Sequence, residues 1–80
     1  MANKPEKKYR AGQLTATVWK NEKNYNGEKQ EYYTVSIEKN YKEKDSENWK
    51  TTNSLMANDI PKAELVLRKA FEFITLKESE

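Results

Sequence analysis

Two kinds of side chain in this sequence have something to offer a ligand: aromatic rings and amine-bearing cations, set among hydroxyls. Trp19 and Tyr32 lie in segments that alternate apolar with polar residues. Each falls on the polar phase, beside Thr15, Thr17, Thr34 and Ser36. An exposed ring stacks on a planar base, worth ~1–3 kcal/mol per base in single-stranded nucleic acid. Arg10, Lys20, Lys39 and Lys50 stand at the margins of these segments with Thr52 close by, where cations neutralise phosphate and hydroxyls bond phosphate, sugar or base edges.

Other chemistries lack their parts. The 80 residues contain no Cys and no His. Thiol nucleophiles, disulfides, thiolate metal sites and imidazole general bases are therefore excluded. Glu28, Glu31, Asp45 and Glu47 fall in or near expected turns and form no paired constellation, and no glycine-rich phosphate cradle is present. The expectation is a protein that is not an enzyme, with no catalytic residue, metal, cofactor or small-molecule substrate.

The elements that must position these side chains follow from periodicity. From Tyr9 to Lys20, apolar Leu14, Ala16 and Val18 alternate with Thr15, Thr17 and Trp19, which predicts a half-buried strand with a bend or bulge at Gly12. Asn26-Gly27 is the strongest hairpin signal, since a two-residue turn with φ > 0 at both positions suits these residues. The second strand runs from about Lys29 to Tyr41. With the turn fixed, Val18 faces Val35, Ala16 faces Ile37, Thr17 faces Ser36 and Trp19 faces Thr34. A one-residue slip would scatter the apolar set over both faces.

A charged turn at Lys44 to Asn48 precedes a third strand, from about Trp49 to Leu55. An odd-length loop would place Leu55 in the core and Lys50, Thr52 and Ser54 on the polar face, with Trp49 on the other. Asp59 as N-cap and Pro61 in the first turn then open a helix to about Leu76. The predicted fold is α+β: an antiparallel sheet of three to four strands followed by one C-terminal helix.

Residues 1–8 read as a disordered basic N-terminal arm, where Lys4, Lys7 and Lys8 outweigh Glu6. Residues 9–76 form one domain, and 77–80 read as a disordered tail. No apolar run approaches the ~20 residues of a membrane span, and no signal peptide is recognisable. The expectation is a soluble cytoplasmic protein, nucleoid-associated or nuclear in a eukaryote.

The helix carries more apolar surface than one small sheet covers, and a small core without disulfide or metal leaves oligomerisation as its staple. Val66, Ala70, Phe73 and Leu65 are the residues expected at a helix-mediated homodimer interface. The polar sheet face cannot be a second core side, because burying so many hydroxyls would leave them unsatisfied.

This order of events resembles the single-stranded-DNA-binding domain of the transcriptional positive cofactor four family, related in architecture to the Whirly proteins. The similar segments are GQLTATVWKNE, EYYTVSIEKNYKEKD and NWKTTNSLMANDIPKAELVL. The resemblance implies a curved sheet that holds single-stranded DNA, helices that pair in a homodimer, sheet aromatics at Trp19 and Tyr32, and sheet lysines at Lys39 and Lys50. The expected function is sequence-independent single-stranded DNA binding in replication, repair or transcription. The alternatives are RNA as ligand, or a protein-interaction module that uses the helix stripe or edge strands.

Overall fold

The computed structural model describes residues 4–76, and its longest feature is the hairpin expected from the sequence. Strand β2 (Leu14–Tyr25) pairs antiparallel with β3 (Glu28–Lys42) from Leu14 opposite Lys39 to Tyr25 opposite Glu28. At its tip Asn26 and Gly27 both take positive φ, 54° and 81°, as the two-residue turn requires. Val18 faces Val35, Ala16 faces Ile37, Thr17 faces Ser36 and Trp19 faces Thr34.

Strand β1 (Lys4–Ala11) lies along the other side of β2, and strand β4 (Trp49–Thr52) along the other side of β3, giving one antiparallel sheet in the order β1-β2-β3-β4. A 3-10 turn at Ala57–Asp59 leads into helix α1 (Ile60–Thr75), with Asp59 as N-cap and Pro61 in the first turn. The fold is α+β, as expected. No helix among the described residues is long and apolar enough to cross a membrane.

The expected disordered arm is corrected over Lys4 to Lys8, which belong to β1. Gly12 is also more than a bend. With φ of 62° it begins the turn between Ala11 and Leu14, so the expected first strand is two strands folded on each other. Tyr9 and Ala11 pack on the core from β1, while its lysines, its Pro5 and a register shift between Pro5 and Lys7 suit an edge strand that must not recruit another chain. Residues 1–3 of that arm and the tail 77–80 lie outside the described residues.

Leu14, Ala16 and Val18 of the sheet are buried with Ala63, Val66 and Ala70 of the helix, and Ile37 and Ile74 close the edges of this core. Val66 and Ala70 are therefore consumed within the chain and are not free for a subunit interface, which corrects their assignment there. Leu65 and Phe73 remain on the surface. So do Leu67 and Phe71, one helical turn apart, and Tyr33 and Val35 on the helix-facing side of β3.

Candidate nucleic-acid interface

Alternate residues of a strand share a face, so the register defines what the helix leaves open. On β2 and β3 that face carries Thr15, Thr17, Trp19, Asn21 and Lys23 beside Tyr32, Thr34, Ser36, Glu38 and Asn40. From β1 it gains Lys8 opposite Thr17 and Arg10 opposite Thr15.

The centre of this face is latched across the two strands. The Trp19 indole N–H donates to Ser36 Oγ at 2.9 Å, and the Asn21 amide donates to Thr34 Oγ1 at 3.1 Å. Thr17 and Asn21 are buried, and Trp19 is half-buried. A hydroxyl has one donor and two acceptor positions, so accepting from Trp19 or Asn21 leaves the Ser36 and Thr34 O–H groups free to donate. The result is a row of donors, the polarity that suits an anionic ligand. Asn21 is a residue that sequence reasoning missed, since an asparagine in a polar stretch carries no signal of a cross-strand bond.

Tyr32 stays 45% exposed. The Lys23 ammonium lies 5.9 Å from its ring centroid, within cation–π range. A cation thus stands over one face of an exposed ring.

The expected lysines are placed differently. Lys20 lies on the helix-facing side, its ammonium 3.3 Å from Glu31. The hydrogen bond to Glu31 and the carboxylate's charge raise its pKa above the usual lysine value. Lys39 also points to the helix side, 2.8 Å from Asp59, and Lys50 pairs with Glu43 at 3.0 Å. The reason for Lys50 is loop length. Glu43 N–H bonds Asn48 C=O, enclosing the even-length loop 44–47 rather than an odd one. Lys50 and Thr52 then sit opposite Tyr41 and Lys39 on the helix side, and Trp49 and Thr51 turn to the open face opposite Lys42 and Asn40.

The open face has its own cations. Among the described residues, Lys8, Arg10 and Lys23 have no carboxylate within ion-pair distance, whereas Lys20, Lys29, Lys39 and Lys50 of the opposite face are paired. The Lys42 ammonium lies 3.5 Å from Glu47, whose side chain is almost fully exposed. Strands β2 to β4 therefore spend their helix-side lysines on internal pairs, whereas Lys8, Arg10 and Lys23 stay unpaired on the face of Trp19 and Tyr32; on the helix side, Lys4 and Lys7 of β1 are likewise without a carboxylate partner among the described residues.

Fold and face together define a small α+β protein with a four-stranded open sheet, one C-terminal helix and a polar, cation-bearing outer surface. No family model, curated protein or solved structure matches the chain.

Proposed function

We propose that the chain binds single-stranded DNA without sequence preference, on the open face of its sheet. The observation that carries this reading is the company the cations keep: unpaired Lys8, Arg10 and Lys23 share a face with the rings of Trp19 and Tyr32, while Lys20, Lys39 and Lys50 on the other side are neutralised within the chain. Bases stack on the rings, cations meet the phosphates, and the outward O–H groups of Thr34 and Ser36 donate to the backbone. Thr15 and Thr17 line the path between Arg10, Lys8 and the rings. The resemblance to the transcriptional positive cofactor four and Whirly proteins belongs to this reading, as does a role in replication, repair or transcription.

Pairing of two copies belongs to it as well. Leu67 and Phe71 on one flank of the helix, and Leu65 and Phe73 on the other, are apolar surface uncovered by the chain itself. Burying it against a second copy supplies the staple that a small core needs.

The test is a tryptophan-fluorescence titration with an oligothymidine of about 20 nucleotides, at low and high salt, beside a duplex and an oligouridine of equal length. Quenching by the DNA single strand that weakens with salt and exceeds the duplex response supports the reading. Tighter binding of oligouridine makes RNA the ligand. No response at low salt leaves the helix stripe as the working surface, with a protein as partner.

A further inference from the structure

Trp49 differs from Trp19 in every respect that matters for stacking. Its side chain is 64% exposed. The Trp19 indole N–H is occupied by Ser36, while that of Trp49 meets no acceptor among the described residues. Two neighbours complete a shallow cleft of about 280 Å³, lined by Arg10, Asn40 and Trp49. The backbone brings them together: Asn40 N–H donates to Gln13 C=O at 2.9 Å, drawing β3 against the β1–β2 turn. Arg10 Nε donates to Gly12 C=O at 3.0 Å, which holds the guanidinium at that turn and leaves its terminal N–H groups free.

We propose that this cleft is a subsite for one unpaired nucleotide: Trp49 stacks the base, the Asn40 carboxamide bonds its edge, and Arg10 takes the adjoining phosphate. The inference rests on the nucleic-acid reading above and adds a place on the sheet where one base is held individually. The cleft lies at or just below the small end of ligand pockets, roughly 300–1,000 Å³, so it suits a single base rather than a larger molecule. A carboxamide presents both a donor and an acceptor to a base edge. The planar guanidinium fork, pre-oriented by the bond through Nε, matches the oxygens of a phosphate. Among the described residues, nothing else on the open face combines an unengaged ring, an unengaged amide and a partly anchored guanidinium.

The experiment uses the full chain. Affinity for fluorescently labelled oligothymidine is measured by anisotropy for the unaltered protein, Trp49→Ala, Trp49→Phe and Arg10→Gln, with a thermal melt of each. In parallel, Trp19→Phe leaves Trp49 as the sole tryptophan of the two in the chain, and its emission is read at saturating oligonucleotide. Expected are quenching of Trp49, a loss of about fivefold to 150-fold in Trp49→Ala, recovery of most of it in Trp49→Phe, and a flatter salt dependence in Arg10→Gln, by about 0.7 in log–log slope. An unquenched Trp49 and a Trp49→Ala protein that melts and binds like the unaltered one overturn the subsite and leave the rest of the sheet surface standing. Absence of any binding by the unaltered protein at low salt overturns the subsite together with the reading it rests on.

Discussion

The Lys39 ammonium lies 2.8 Å from the Asp59 carboxylate, and this contact fastens β3 to the start of α1. Both side chains are largely shielded, 13% and 16% exposed. The same Asp59 oxygen accepts the Met56 backbone N–H at 2.8 Å, so one carboxylate closes the 3-10 turn, precedes the helix and meets the sheet. Lysine at position 39 thus spends its charge within the fold.

Acid should therefore loosen the helix from the sheet. The hydrogen bond from Lys39, then that from Met56, holds the Asp59 carboxyl below its ordinary value of 3.8. A depressed folded pKa contributes stability that is fully present above the unfolded value and lost as pH falls through the folded one. In Lys39→Met that contribution is smaller, because the main cause of the shift is gone. Urea midpoints measured from pH 7 to pH 2 are expected to fall more steeply below about pH 4 for the unaltered protein than for Lys39→Met. Parallel curves would show that the pair does not stabilise the fold.

The hairpin was legible because two independent signals agreed. Asn26-Gly27 fixed the turn, and only one register then put Val18, Val35, Ala16 and Ile37 on a common face. The start of β4 near Trp49 was legible too, but its facing was not, because the charged stretch around Lys44 to Glu47 contains nothing that sets the parity of the loop. Asp45 takes a left-handed φ of 61° there, and the even loop exchanged the faces of Trp49 and Lys50. Strand β1 was hidden for another reason. An edge strand protected by lysines and proline has the composition of a tail, and only the partner strand beside it reveals what it is. The candidate face was half legible on these grounds: Trp19, Tyr32, Lys23 and the hydroxyls came from the hairpin, Lys8 and Arg10 from the strand that composition concealed, and Trp49 from the strand whose facing was exchanged.

The bond from Trp19 to Ser36 should contribute to stability independently of any ligand. A half-buried hydrogen bond of this kind is worth about 1 kcal/mol net, and Ser36→Ala leaves the indole N–H without its acceptor. The expected result is a lower urea midpoint with an unchanged m value, corresponding to a loss of about 1 kcal/mol. An unchanged midpoint would mean that water replaces the hydroxyl at no cost.

The uncovered helix flank gives a direct test of pairing. Phe71 is 63% exposed within one chain, so Phe71→Glu removes no core contact and should leave the monomer's fold intact. If two copies pair there, a carboxylate at the seam must be desolvated against apolar surface, at a cost of several kcal/mol. Sedimentation velocity is expected to report a dimer for the unaltered protein and a monomer for Phe71→Glu. A monomer in both cases would free this surface for a different protein.

The two faces of the sheet are separable by their lysines. Lys8 and Lys23 are open-face cations without carboxylate partners among the described residues, whereas Lys20 and Lys50 are paired to Glu31 and Glu43 on the other side. Each phosphate contact to a single strand contributes about 0.7 to the slope of log affinity against log salt. Lys8→Ala and Lys23→Ala should each weaken oligothymidine binding at low salt and flatten that slope by about this amount. Lys20→Ala and Lys50→Ala should leave the slope where it was, because each removes a charge already balanced within the chain. The comparison holds net charge constant, since all four substitutions delete one positive charge. A slope that responded equally to all four would mean that the chain attracts DNA by overall charge, and the open face would lose its claim to be the surface that holds it.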